Sequence, residues 1–303
     1  MQWLLIALAA ITVFYIAPCI VIFILTFYGR YDPEAAMKKK YFIPYRREID
    51  EASARLGSLR FEPVSIEARD GTTLRGKYYR CGSDKLAILV HGYNASAMSN
   101  FCVSGLALYD RGYSLLMIDE RAHGESGGRK TGFGLLERYD ILTWLDWAEK
   151  NAAEKSFFIY GISMGSAALA FSADKLDETR VKALSFDCGF VSPREQMRLI
   201  AKKHHIPGRI MIPFIRILAK IFIGEDINDT VIGPLSRSKI PSVFMYGGRD
   251  RTVPMSDGRR YFAASAAPKL MLIAPGAEHT MCFIAGGEEI RKPFFDFIDK
   301  YVK

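Results

Sequence analysis

An apolar segment ends abruptly at a serine between two glycines in Phe158-Ile159-Tyr160-Gly161-Ile162-Ser163-Met164-Gly165-Ser166, and an alanine-rich segment follows. This pattern predicts a buried strand, a sharp turn and a helix. The backbone of such a turn is crowded, which explains Gly161 and Gly165 on either side of the serine. The turn would present the Ser163 hydroxyl at a helix N-terminus, where backbone donors stabilise a developing negative charge. We therefore predict that Ser163 is a nucleophile and that the Met164 N–H is an oxyanion donor.

The composition is that of a folded protein with a basic balance. The 303 residues are 50% hydrophobic and 24% charged, and the formal net charge is +8. The basic residues are scattered and accompany no zinc-finger or RNA-binding signature, so no nucleic-acid partner is predicted. An anionic membrane surface fits the charge better. The five cysteines have no regular spacing, which favours free thiols in a reducing compartment.

The first 29 residues are predicted to form a transmembrane helix. No Asp, Glu, Lys, Arg or His occurs between Met1 and Tyr28, and this apolar length exceeds the roughly 20 residues that cross a bilayer. A cleaved signal peptide is the alternative, although a basic start and a small-x-small cleavage site are not evident. The basic residues that follow place the remainder of the chain in the cytoplasm by the positive-inside rule; they are Arg30, Lys38, Lys39, Lys40, Arg46 and Arg47. The prediction is a single-pass protein of the cell membrane.

Residues 30–58 are predicted to be a juxtamembrane linker and residues 59–303 a catalytic domain. The linker contains a short helical pattern from Glu48 to Leu56. The domain begins with a hairpin at Asp70-Gly71, and short apolar strands then alternate with amphipathic helices. This alternation predicts an α/β fold whose mostly parallel sheet has helices on both faces.

Three further segments with candidate residues follow predicted strands, where the reactive groups of such a sheet are expected. His91-Gly92-Tyr93 comes after the strand Leu86 to Val90, Asp250 after Ser242 to Tyr246, and His279 after Leu270 to Ile273. Gly92 would let the Tyr93 N–H face Ser163 as the second oxyanion donor, with His91 bracing this loop by hydrogen bonds. His279 would take the Ser163 proton, and Asp250 would orient the imidazole.

The chain resembles the α/β-hydrolase family over about residues 61–301. The pieces that carry the resemblance are His91-Gly92-Tyr93, Asp119-Glu120-Arg121-Ala122-His123-Gly124-Glu125-Ser126, Gly161-Ile162-Ser163-Met164-Gly165, the Asp250 loop ending at Val253-Pro254, and Gly276-Ala277-Glu278-His279. The resemblance implies an eight-stranded sheet and a triad of Ser163, Asp250 and His279. Within the family the chain is similar to bacterial membrane-anchored hydrolases and to the serine aminopeptidase-like and Bem46-like branches.

Several residues allow other interpretations. Asp187, at the end of the strand Val181 to Phe186, competes with Asp250 for the acid position. His123 is interpreted as structural, and Cys282 as a packing residue rather than a nucleophile. His204 and His205 have no acidic or cysteine partners at ligand spacing, so no metal site is predicted.

Residues 188–240 interrupt the strand-helix alternation and are predicted to form a helical lid insertion. Its second helix, Ile210 to Phe222, is apolar nearly all round and is broken by Arg216 and Lys220. One interpretation is an ordinary helix packed on the core. The other is a helix that rests on the membrane, with its basic residues toward the lipid head groups.

The sequence thus predicts a membrane-anchored serine hydrolase that cleaves carboxylic esters, including lipid or acyl esters, without a cofactor. The alternatives are a serine peptidase acting on short peptides and a non-catalytic binding module tethered to the membrane. An acidic loop near the site would favour the peptidase, and an occluded pocket would favour the binding module.

Overall fold

The computed structural model describes residues 1–31 and 40–303. Its centre is one eight-stranded sheet with the strand order β1-β2-β4-β3-β5-β6-β7-β8. Strand β2 pairs antiparallel with both β1 and β4, and all other pairings in the sheet are parallel. The strands are β1 (Glu62–Glu67), β2 (Thr73–Tyr79), β3 (Lys85–Val90), β4 (Tyr113–Ile118), β5 (Ser156–Ile162), β6 (Val181–Asp187), β7 (Ser242–Gly247) and β8 (Lys269–Ala274). The predicted α/β class with a mostly parallel eight-stranded sheet is confirmed.

Helices connect and flank these strands. They are α1 (Gln2–Ile11), α2 (Ala17–Phe27), α3 (Arg46–Ser58), α4 (Ala97–Tyr109), α5 (Glu137–Asn151), α6 (Met164–Ser172), α7 (Pro193–Lys203), α8 (Gly208–Phe222), α9 (Ile232–Arg237), α10 (Met255–Ala264), α11 (Cys282–Ala285) and α12 (Gly287–Tyr301). Short 3₁₀ helices lie at Lys40–Tyr45 and Ala173–Lys175. Helices α7 and α8, which we call the insertion helices, occupy the predicted insertion.

The sheet forms where sequence analysis placed it because its central strands are continuous apolar runs. Every side chain from Leu86 to Val90 in β3 is fully buried, as expected for a strand covered on both faces. The hairpin between β1 and β2 turns at Gly71, whose φ of 79° lies in the left-handed region that glycine adopts without strain. The carboxyl ends of β3, β5, β7 and β8 lie at one edge of the parallel part of the sheet, and this edge carries the predicted site.

Helices α1 and α2 continue into each other through a π-helical segment, Thr12–Ile16, and form one apolar helix over Gln2–Phe27. We call it the N-terminal helix. Within the described residues it is the one helix with the length and composition needed to cross a membrane. Its second half packs on the domain, as the burial of Cys19, Phe23 and Phe27 shows. These positions recur every four residues and therefore form one stripe on the helix.

The segment that follows is integrated with the domain over its described part. Helix α3 buries Ile49, Ala52 and Leu56 and packs against α4. Arg55 forms a bidentate ion pair with Asp110. Residues 40–58 of the predicted linker thus pack on the domain through α4. Lys38 and Lys39 of the predicted orientation signal lie outside the described residues.

Candidate active site

The predicted serine turn has the expected backbone. Ser163 has a φ of 54° and a ψ of −110° and immediately precedes helix α6, so this non-glycine residue is held in a strained conformation. The turn is fixed by bonds on both sides, since the Ser163 N–H donates to the Asp187 carbonyl at 2.8 Å and its carbonyl accepts from the Ala167 N–H at 3.0 Å. In this conformation the Ser163 hydroxyl lies within hydrogen-bond distance of His279.

Two glycines permit this crowding. A Cβ on Gly161 would lie 2.6 Å from the Gly165 carbonyl oxygen, and a Cβ on Gly165 would lie 2.2 Å from the Val90 carbonyl oxygen. Both distances are far below van der Waals contact with backbone atoms that cannot rotate away. The supporting roles predicted for Gly161 and Gly165 therefore have a direct steric basis.

The structure brings the three predicted triad residues into one hydrogen-bonded chain. Ser163 Oγ lies 2.9 Å from His279 Nε2, and His279 Nδ1 lies 2.7 Å from Asp250 Oδ2. The other carboxylate oxygen of Asp250 accepts from the N–H groups of Thr252 and Val253 at 2.7 and 2.9 Å. The Asp250 side chain is fully buried, so its orientation toward the imidazole is fixed on both sides. This arrangement can activate a serine by proton transfer to histidine.

The rival acid Asp187 has a different partner. Its Oδ2 accepts from the Tyr160 hydroxyl at 3.0 Å, and no bond to His279 is found among the described residues. Burial raises the pKa of Asp187 to about 7, which is typical of a carboxyl group without a cationic neighbour. The geometry thus favours Asp250 over Asp187 as the partner of the histidine.

The predicted oxyanion loop packs closely against the serine turn. A Cβ on Gly92 would lie 3.1 Å from Ser163 Cβ, so the loop approaches as near as a glycine allows. His91 braces the loop from behind: its Nδ1 lies 2.7 Å from the Gly92 carbonyl oxygen, and its Nε2 accepts from the Glu120 N–H at 2.9 Å. Complete burial lowers the pKa of His91 to about 4, so the ring is neutral and can accept that bond.

A second histidine supports the same loop. His123 Nε2 accepts from the Asn94 N–H at 3.2 Å, and burial lowers the pKa of His123 to about 4. Its turn is held by Arg121, whose guanidinium binds Asp140 through two bonds of 2.7 Å. These contacts agree with the structural interpretation of His123.

The site opens into a pocket of about 200 Å³. The two predicted oxyanion donors, Tyr93 and Met164, line it together with Ser163 and His279. Its other walls are mainly apolar or uncharged; they are Asn94, Phe133, Phe190, Gln196, Ile200 and Thr252. The described lining carries no carboxylate side chain, so it lacks the acidic group that would hold a substrate amino terminus.

One cysteine near the triad was missed by sequence reasoning. The Cys188 sulfur, the Asp250 carboxylate and the His279 ring offer ligand atoms within 4.8 Å of one another. The carboxylate and the imidazole are already bonded to each other and to Ser163, and these bonds occupy the atoms that a metal would need. Burial raises the pKa of the Cys188 thiol, which disfavours the thiolate that binds metals. Cys282, in contrast, is buried with its sulfur 3.9 Å from the Leu272 carbonyl oxygen.

Sequence reasoning also missed a link between the site and the N-terminal helix. The Tyr93 hydroxyl donates to the Thr26 carbonyl at 3.2 Å, and Tyr31 stacks on His123 with ring centroids 4.5 Å apart. The Phe27 carbonyl accepts from the Thr131 N–H at 2.9 Å. The end of the helix is therefore tied to the loop that carries a predicted oxyanion donor.

Comparisons with known proteins find related sequences over a large part of the chain. A model of the serine aminopeptidase S33 family matches residues 83–222. The chain is 24% identical to YqkD of Bacillus subtilis over 215 residues, which are 70% of each protein. It is 25% identical to YfhR of Escherichia coli K12 over 243 residues, 78% of this chain and 80% of that protein.

Solved structures show the same fold. The Pyrococcus furiosus esterase Pf2001 superposes with a TM-score of 0.69 at 21% identity, covering 91% of this chain and all of that one. The esterase EaEST from Exiguobacterium antarcticum superposes with a TM-score of 0.60 at 16% identity, covering 78% of this chain and 99% of that one. At these identities the likeness establishes the architecture and leaves the substrate open.

Proposed function

We propose that this chain, a member of the α/β-hydrolase superfamily, is a membrane-attached serine hydrolase of carboxylic esters. The observation that carries the proposal is the continuous contact from Ser163 through His279 to Asp250 at the mouth of an uncharged pocket. The esterases among the similar structures support the ester class by analogy.

In the proposed mechanism, Ser163 Oγ attacks the ester carbonyl carbon while His279 Nε2 accepts its proton. Asp250 holds the ring and stabilises the imidazolium that forms. The carbonyl oxygen becomes an oxyanion bound by the N–H groups of Tyr93 and Met164. His279 then protonates the leaving alcohol, and the acyl group stays on Ser163. Water attacks the acyl-enzyme with His279 as base, which releases the carboxylic acid and restores the serine. Every step uses groups of this chain, the substrate and water.

The lack of a carboxylate in the described pocket lining favours an ester over a short peptide as substrate. A peptidase acting at a free amino terminus has to bind an ammonium group, and taking that charge out of water is costly unless a carboxylate pairs with it. The pocket instead offers Phe133, Phe190 and Ile200, which suit an acyl group.

A fluorophosphonate probe tests the proposed nucleophile on the full-length protein in membranes. We expect the parent to be labelled and Ser163→Ala to lose all labelling, while the exposed Ser236→Ala remains like the parent. p-Nitrophenyl esters should be turned over at least about 100-fold faster than aminoacyl anilides, because the described pocket lining has no carboxylate to pair with the substrate ammonium. Unlabelled parent protein would favour the binding module, and faster anilide cleavage would favour the peptidase.

We further propose that the N-terminal helix spans the membrane and that helix α8 enters the same bilayer. Trp3, Leu4 and Phe14 are almost entirely exposed, which is costly for apolar side chains in water. Among the described side chains, Tyr15 makes the first contact of this helix with α8. Residues 2–14 lie beyond that contact, and at 1.5 Å per residue they span about 20 Å. The hydrocarbon core is about 30 Å thick, so a spanning helix would draw its neighbour into the outer part of the bilayer.

The neighbour is α8, and its outward face fits that environment. Tyr15 packs on Phe214 and Phe23 on Phe222, so the two helices run side by side. The outward stripe of α8 consists of the exposed residues Ile210, Ile217 and Ile221, while its opposite face is packed on the core. Arg216 and Lys220 both pair with Asp226, so these cations are partly neutralised within the protein.

Cysteine accessibility in lipid nanodiscs tests the position of α8. In a Cys81→Ser background, Ile217→Cys is expected to react at least about tenfold more slowly with a charged maleimide than Ile273→Cys, because lipid excludes the reagent and suppresses the thiolate. The two isoleucines are comparably exposed in the protein, at 54% and 44%. Equal rates would place α8 in water.

A further inference from the structure

A second cavity lies between the N-terminal helix and the insertion helices. It has a volume of about 70 Å³. The N-terminal helix contributes Ile22 and Thr26 to its wall, α7 contributes Met197, Ile200 and Ala201, and α8 contributes Met211 among others. A space of this size holds only part of a substrate.

Helix α7 separates this cavity from the catalytic pocket. Gln196 and Ile200, one turn apart, line the catalytic pocket, whereas Met197 and Ala201, the next residue in each case, line the second cavity. Ile200 borders both spaces, and it is 39% exposed. A change of rotamer at this single side chain is the smallest movement that would join them.

The apolar lining of the cavity favours a hydrocarbon ligand over a polar one. Its described walls contain no charged side chain, and the one hydroxyl, on Thr26, already donates to the Ile22 carbonyl at 2.8 Å. A polar ligand would therefore lose its hydrogen bonds to water without replacement, whereas methylene groups gain by burial. An apolar space of this kind accepts apolar ligands in preference to polar ones.

The N-terminal helix indicates where such a chain comes from. Ile22 and Thr26 belong to the same helix whose first half exposes apolar side chains. One wall of the cavity is thus continuous with the segment that we propose to span the bilayer. A lipid acyl chain could pass from the bilayer along this helix without crossing water.

We propose that this cavity binds the distal part of a long, unbranched acyl chain whose ester carbonyl lies at Ser163, so that the substrate is a long-chain lipid ester from the membrane. The inference rests on the proposed function, because it takes the pocket at Ser163 as the site of ester cleavage. The N-terminal helix is then both the anchor and a wall of the substrate site.

Two neighbouring substitutions on the N-terminal helix test the proposal on the full-length protein in nanodiscs. Ile22→Trp should fill the cavity, whereas Val21→Trp places the same side chain on the outward face, where Val21 is 54% exposed. We expect Ile22→Trp to lower kcat/KM for p-nitrophenyl dodecanoate at least about tenfold, corresponding to about 1.4 kcal/mol of lost chain binding. The butyrate ester should change less than about twofold, and Val21→Trp should match the parent on both esters.

Met211→Ala provides the opposite change. Shortening this side chain enlarges the cavity, so kcat/KM for the palmitate ester should rise relative to that for the butyrate ester. If Ile22→Trp lowers both esters equally and Met211→Ala leaves the chain-length profile unchanged, the cavity does not hold the acyl chain.

A binding readout separates failure of this inference from failure of the proposed function. Palmitic acid with a diazirine at its terminal carbon is irradiated with the Ser163→Ala protein, which cannot turn over an ester. Attachment to the peptides that contain Met197 or Met211 is expected and should be lost in Ile22→Trp. Attachment confined to the exposed part of the N-terminal helix would overturn the inference, whether or not the parent hydrolyses esters.

Discussion

Asp250→Asn is expected to lower kcat about 10⁴-fold, and Asp187→Asn less than about tenfold. Asparagine preserves the shape at position 250, but it cannot stabilise the imidazolium and can hold His279 in the wrong tautomer. The carboxylate at Asp250 is bonded to His279 Nδ1 at 2.7 Å, whereas Asp187 accepts from Tyr160. The effect on catalysis should therefore follow the bond to the histidine.

Asp187→Asn is a matched control because the two aspartates lie at the ends of adjacent strands, β6 and β7, and both are buried around the site. Burial raises the pKa of Asp187 to about 7, so an uncharged amide differs little from its protonated form. The measurement is kcat for p-nitrophenyl butyrate, with the unfolding midpoint in urea to verify folding. A large loss with Asp187→Asn and a small one with Asp250→Asn would reverse the assignment of the acid.

The fold and the contact between Ser163 and His279 were predictable because their signals are local. The apolar run before Ser163, the two glycines around it and the position of His279 after a strand each follow from a few consecutive residues. The choice between Asp250 and Asp187 was harder, because both follow strands and only tertiary structure shows which carboxylate meets the imidazole.

The packing of the N-terminal helix could not be predicted, because the helix is apolar on every side. A buried stripe is recognisable by its contrast with polar positions, and no such contrast distinguishes Cys19, Phe23 and Phe27 from their neighbours. The bond from Tyr93 to the Thr26 carbonyl joins residues 67 positions apart and has no local signal. The same reasoning applies to α8, whose apolar residues serve the core on one face and remain exposed on the other.

Gly165→Ala is expected to destabilise the folded protein by at least about 4 kcal/mol or to prevent folding. The added Cβ would lie 2.2 Å from the Val90 carbonyl oxygen and 2.6 Å from that of His91. Both atoms belong to the backbone where β3 ends, so relief requires α6 to move away from the strand. Overpacking of this kind is costly because close-packed interiors yield little.

Gly57→Ala is the matched control for the same chemical change. A Cβ at Gly57 meets nothing within 4 Å, and the residue lies inside α3, so alanine should stabilise the helix by about 0.5–1 kcal/mol. Urea unfolding of both variants, followed by circular dichroism in the same detergent, measures the difference.

If Gly165→Ala does fold, the separation of α6 from β3 would move the Met164 N–H away from that of Tyr93, and fluorophosphonate labelling of Ser163 should slow. Parent-like stability and labelling would mean that the serine turn does not require the close contact between Gly165 and Val90 on which the proposed oxyanion geometry depends.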